Sequence, residues 1–170
     1  MSEGLAANCS LIQAKDWLRA RVNDGATCPC CTQFAKVYRR KINSSMACGL
    51  ILISKFFRKN STDQWLHVPS YLGELDLPPN IRVVVRGGDW AKLVFWKCLE
   101  PRPGEREDGS TRTGYWRITP VGTDFANSAV LLPKYARIYD DRCLGLEGDP
   151  ISIHDAIRDR FNYGELMEGM

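Results

Sequence analysis

The residues best equipped for chemistry sit together at Thr27-Cys28-Pro29-Cys30-Cys31. Cys28 and Cys31 have Cys-Pro-x-Cys spacing, a knuckle in which two thiolates face one ion while backbone amides offset their charge. A structural zinc needs four ligands, no second knuckle follows, and Thr32 stands where such a turn usually has Gly. His67 is the candidate third ligand, so the expected metal site is Cys28, Cys31 and His67, with zinc as the cofactor. The other donors are Cys9, Cys30, Cys48, Cys98, Cys143 and His154. Cys48 and Cys98 stand among apolar neighbours and are expected as small buried hydrophobes. Packed or redox-active thiols are the competing reading of the cluster, and a satisfied strand residue is the competing reading of His67.

A second chemical feature is charge. Residues 1–62 hold ten Lys/Arg against three Asp/Glu, residues 63–133 eight against nine, and residues 134–170 five against eight. The net +3 of the chain is thus a +7 N-terminal third followed by a nearly neutral middle and an acidic tail. Lys36, Arg39, Arg40 and Lys41, with Tyr38 adjacent, have no acidic neighbour to cancel them. Such a block fits an anionic partner, nucleic acid first, and its alternative is a solvated basic helix face. Enzymatic constellations are missing. The sequence has no Gly-rich phosphate loop, no Gly-x-Ser-x-Gly elbow and no His-rich metal centre, so a non-enzymatic binder is expected.

Elements must hold these residues in place. At 170 residues, 44% hydrophobic and 25% charged, the chain has enough material for a real core without a disulfide framework. No apolar run approaches the ~20 residues that span a bilayer, so no membrane partner is expected. The start lacks the basic and apolar regions of a secretory signal. With seven cysteines, an odd number, this points to reduced thiols in a cytoplasm.

Apolar spacing predicts a helix over Leu11–Val22 with Ser10 as its cap, and a second over Gln33–Ile42. A third, buried helix follows Asn43-Ser44-Ser45 through Phe57. Trp65–Val68 reads as a strand, Pro69–Leu75 as a short helix, and Leu77-Pro78-Pro79-Asn80 as a turn. Gly88–Glu100 is amphipathic at helical period, with Asp89 as cap. A polar hairpin tip, Pro101–Gly114, leads to the strand Tyr115–Thr119 and a helix starting at Pro120. The tail reads as two strands around Asp140-Asp141-Arg142 and a last helix over His154–Phe161.

Residues 44–128, taken together, resemble winged helix-turn-helix domains of the MarR and PadR types. The matching residues are Leu99-Glu100 at the end of the recognition helix, Glu107-Asp108-Gly109 and Arg112 on the wing, and Ile118-Thr119-Pro120-Val121-Gly122 after it. The resemblance implies an α+β fold: a winged-helix core at 44–128, a helical, basic, cysteine-containing extension at 1–43, and a C-terminal hairpin-and-helix appendage at 129–170. One departure stands out. The turn between the motif's two helices normally has three to four residues, but Leu77–Gly88 supplies twelve, whose apolar run extends the recognition helix or adds a strand. The segments Asp16–Ser44, Ile138-Tyr139 and Ile151–Ile157 are also similar to small bacteriophage-encoded proteins, which implies a host-cytoplasm setting.

The implied function is DNA binding and transcription regulation, with double-stranded DNA as partner and a homodimer as candidate assembly. The expected contacts are Lys36, Arg39, Arg40 and Lys41 in the extension, Arg82, Arg86, Lys92 and Lys97 around the recognition helix, and Arg102, Arg106 and Arg112 on the wing. Glu105, Glu107 and Asp108 could instead neutralise the wing arginines. Winged helices also bind proteins, so a module that binds or inhibits a host factor is the alternative.

Overall fold

Residues 6, 8–104, 107, 109 and 113–168 are described in a computed structural model. The chain divides into two compact units, one of residues 1–40 and 136–146 and the other of 41–135 and 147–170.

Unit 2 is organised by α2 (Ser44–Asn60). Asn43 takes the N-cap and its side chain accepts the Met46 amide at 2.9 Å, which satisfies one of the orphan donors of the first turn. Every residue from Met46 to Ser54 is buried, so this helix is apolar all round and must be enclosed by other elements. Those elements are α4 (Pro79–Arg86), a 3₁₀ helix (Asp89–Trp96), α5 (Pro120–Ala126), α6 (Ile153–Ile157) and α7 (Tyr163–Glu168). Gly49 is required on α2 because a Cβ there would lie 2.6 Å from Trp90 Cβ. Gly122 is required on α5 because a Cβ would lie 2.1 Å from the Cys98 carbonyl oxygen.

A three-stranded antiparallel sheet has the order β4 (Leu66–His67), β6 (Tyr115–Ile118), β5 (Leu99–Pro101). Its register pairs Leu66 with Trp116 and Leu99 with Ile118. α3 (Val68–Glu74) follows β4 directly, so the order along the chain is α2, β4, α3, α4, 3₁₀ helix, β5, β6, α5.

Unit 1 carries α1 (Leu11–Arg19), β1 (Ala26–Thr27) and β2 (Phe34–Ala35). Ser10 and Gln13 form a reciprocal capping box at the start of α1. β1 and β2 pair antiparallel across the cysteine loop. A second sheet has the order β3 (Tyr38–Lys41), β7 (Leu132–Tyr139), β8 (Arg142–Ile151), and the chain passes between the units within these three strands. Asp140 and Asp141, both at positive φ, make the two-residue turn that joins β7 to β8.

Four expected elements are corrected. The helix expected over Gln33–Ile42 is instead β2, Val37 and β3. Phe34, Val37, Tyr38 and Ile42 do fall at helical spacing, but Phe34 and Tyr38 are 60% and 62% exposed. The backbone finds partners elsewhere: the Val37 amide donates to Val22 O at 2.7 Å, and β3 pairs with β7, nearly a hundred residues away. The helix expected over Gly88–Glu100 is a 3₁₀ helix that ends at Trp96, capped by Gly88 rather than by Asp89. The stretch expected to lengthen it or to add a strand is the separate helix α4, which leaves only Leu75–Pro78 between α3 and α4. Finally, the helix expected over His154–Phe161 stops at Ile157, continues as a 3₁₀ turn through Arg160, and is followed by α7.

Candidate functional site

In unit 2 the candidate contacts lie on α4, the 3₁₀ helix and the β5–β6 hairpin. α4 begins at Pro79, a residue whose fixed φ and missing N–H suit a first helical position. Ile81 and Val85 face inward, whereas Asn80, Val83 and Arg86 are exposed. Arg82 is partly engaged: it donates to Leu77 O at 3.0 Å and lies 3.6 Å from the exposed Asp76 carboxylate. Lys92 is half-buried, with its ammonium over the Phe95 ring at 5.9 Å. Lys97 is exposed and takes a left-handed backbone conformation at φ 58°, just past the 3₁₀ helix. On the hairpin, Arg102 is exposed, its guanidinium 5.5 Å above Tyr115. Arg106 and Arg112 lie outside the described residues. Arg117 donates to Glu100 at 2.6 Å across the two strands and stacks over Trp65 at 4.7 Å, so it braces the hairpin.

The basic cluster is arranged differently from a helix face. On a strand successive side chains point to opposite sides, so Tyr38 and Arg40 share one face of β3 and Arg39 and Lys41 the other. Lys36, Arg39 and Arg40 are exposed and Lys41 is half-buried. α4 therefore groups its candidates on one surface, and β3 divides its own between two.

The cysteine loop forms a tight turn between β1 and β2. The Cys28 amide donates to Gln33 O at 2.8 Å, and the Thr32 amide to Cys28 O at 2.9 Å. Thr32, in the usual glycine place, has φ 61°. The Cys28 thiol is buried, and the backbone amides of Cys31 and Cys30 pull its pKa below the ordinary thiol value. Cys30 goes the other way. Its thiol is pushed up to about 11 by its hydrogen bond to Cys9, whose sulfur lies 2.9 Å away. Cys31 is exposed.

His67, in unit 2, caps α3. Its Nδ1 accepts the Ser70 amide at 3.3 Å and lies 2.7 Å from Ser70 Oγ, and its ring meets Tyr115 edge-on at 5.0 Å. Cys48 and Cys98 are fully buried, and burial pushes both thiols up to about 12. Among the described residues no group of three or more His, Cys, Asp or Glu forms a metal-binding arrangement. No described helix is long and apolar enough to cross a membrane.

Two features escaped the sequence reading. Asn80 stands exposed in the first turn of α4, and Pro79 was the available signal, since Pro marks a helix start as often as a turn. The Cys9–Cys30 approach joins residues 21 positions apart and carries no local signal. Comparison with known proteins gives no match: no family model, no curated protein and no solved structure is similar to the chain.

Proposed function

We propose that the protein is a winged-helix nucleic-acid-binding protein, a bacteriophage DNA-binding regulator of transcription. The observation that supports this reading is the strand order β4-β6-β5 combined with the chain order α2, β4, α3, α4, β5, β6. In a winged helix the strand before the helix-turn-helix pairs with the last strand of the wing, and that last strand pairs with the first. α3 and α4, separated by Leu75–Pro78, then take the helix-turn-helix role, and α4 replaces the Gly88–Glu100 segment as recognition helix. Asn80 and Arg86 are base-edge candidates on its open face, because an amide reads adenine and a guanidinium reads guanine. Lys97 and Arg102 are phosphate contacts in this reading, as are Lys36, Arg39, Arg40 and Lys41.

One observation favours a host-protein partner instead. Val83, central on the open face of α4, is 73% exposed, and an apolar residue there suits a protein surface better than a phosphate backbone. Salt separates the two. Binding to labelled duplex DNA, followed by fluorescence anisotropy, should weaken about tenfold or more over a few-fold rise in salt. Arg86→Ala should cost about 1–3 kcal/mol of binding and relax sequence preference, whereas Arg102→Ala should reduce the slope of log K against log salt by about one. An Arg39→Ala/Arg40→Ala variant with unchanged affinity would remove β3 from the interface, and no affinity at low salt would remove DNA altogether.

A further inference from the structure

We propose that Cys9 and Cys30 are a reversible dithiol–disulfide site whose co-reactants are small-molecule disulfides of the glutathione class. The two sulfurs stand 2.9 Å apart, and Cys30 Sγ also lies 3.6 Å from the Cys9 carbonyl oxygen. A disulfide needs about 2.05 Å, so closure asks for a shift of roughly one ångström in two side chains. Cys30 is exposed and Cys9 half-buried, which gives a reagent access to the pair. Of the other sulfurs, Cys28 is buried under the loop amides, Cys48 and Cys98 are in the core, Cys143 donates to the Gly145 carbonyl at 3.6 Å, and the exposed Cys31 hydrogen-bonds to Cys28.

The location gives the bond a consequence. Cys9 immediately precedes Ser10, the cap of α1, and Cys30 is the centre of the turn between β1 and β2. Closing the bond fastens the start of the helix to that turn, within a unit whose own core is made of small side chains.

The chemistry balances as two exchanges. One thiolate of the pair attacks the small disulfide, forming a mixed disulfide and expelling one half as its thiolate. The second protein thiolate then attacks the protein sulfur of the mixed disulfide, forms the Cys9–Cys30 bond and expels the other half. Two electrons pass from the protein sulfurs to the small disulfide, and the two protein protons end on the two released thiols. Excess small thiol runs the same steps backwards.

The test uses the full chain, treated with a chelator and equilibrated in buffers of oxidised and reduced glutathione. Thiols are then trapped and counted under denaturing conditions, and the bond is located by peptide mass mapping. The expected result is a loss of two thiols from the seven, mapped to Cys9–Cys30 and reversed by reduced glutathione. Cys9→Ser and Cys30→Ser should each abolish it, and Cys143→Ser should leave it unchanged. Mapping of the unmodified chain does not depend on how any variant folds. A bond mapped to Cys28–Cys31 or elsewhere overturns the proposal. So do seven free thiols across the whole range of buffers, or thiol loss that persists in the Cys9→Ser/Cys30→Ser double variant.

Discussion

The side chains buried in unit 2 include Trp90, Trp96, Phe57, Phe125, Phe161 and a run of Leu and Ile along α2, whereas among the described residues of unit 1 the buried apolar ones are Ala14, Val22, Ala26, Cys28, Val37 and Ala136. Several larger apolar side chains of unit 1 are outside, Leu11 at 66%, Ile12 at 73%, Phe34 at 60% and Tyr38 at 62% exposure, and Trp17, Leu18, Ile138 and Tyr139 are only half-buried. Burial stabilises roughly in proportion to apolar area, so the ring-filled unit draws far more from it than the unit of alanines and valines. Trp17 tells the same story. Its indole N–H is buried without a partner among the described residues, while Arg21 covers the ring at 4.4 Å. Five of the seven cysteines, Cys9, Cys28, Cys30, Cys31 and Cys143, occur in this thin-cored unit, where a cross-link or a bound ion would contribute most.

Thiol labelling should make the contrast largest. Cys48 and Cys98 are fully buried with thiols pushed up to about 12, so in native protein they should react only through global unfolding. Cys31 and Cys143 are exposed and should react at once. For an ordinarily stable domain the two rates differ by about a thousandfold or more. Equal rates for Cys98 and Cys143, followed by mass spectrometry of timed aliquots, would dissolve the distinction. Next comes truncation. Phe125→Ala in unit 2 should cost about 3–5 kcal/mol in denaturant unfolding. Val37→Ala in unit 1 should cost about 1–2 kcal/mol, because only two methyl groups leave. Similar losses from the two would mean that unit 1 hides a core as strong as that of unit 2.

The smallest effect concerns acid. Asp155 closes a capping box on Ser152, whose amide and hydroxyl hold its carboxyl below the ordinary Asp value. A depressed folded pKa gives stability that is complete above the unfolded value and lost as pH falls through the folded one. Asp155→Asn, which removes the titrating carboxyl, should therefore flatten the acid limb of stability against pH. An unchanged acid limb in thermal melts would show that the cap contributes nothing there.

What the sequence made legible follows local chemistry. The caps at Ser10 and Asn43, the apolar run of α2, the strand at Leu66-His67 and the Asp140-Asp141 turn all depend on neighbours within a few residues. β3 was hidden because its partner is β7, and a helical spacing of Phe34, Val37 and Tyr38 imitates amphipathicity on a segment that exposes two of the three. The Gly88–Glu100 segment was read as helical but too long and with the wrong winding, since Trp90, Leu93 and Trp96 recur every three residues, the period of a 3₁₀ helix, and a spacing of three also belongs to an α-helix. Of the candidate contacts, Arg86 was visible by type and exposure, whereas Asn80 was read as part of a turn until α4 gave it a helix to stand on.

The passage of the chain between units inside β3, β7 and β8 has a consequence for anyone who would cut the protein. Unit 1 is discontinuous: residues 1–40 are completed by 136–146, which the chain reaches only after most of unit 2 has been synthesised. The N-terminal segment is thus no detachable cassette. Grafted alone onto another protein, residues 1–40 would arrive without the strands that finish them. During translation they would wait through some hundred residues for the missing piece, and a ribosome stalled before residue 136 would leave the unit that carries Cys9 and Cys30 unfinished.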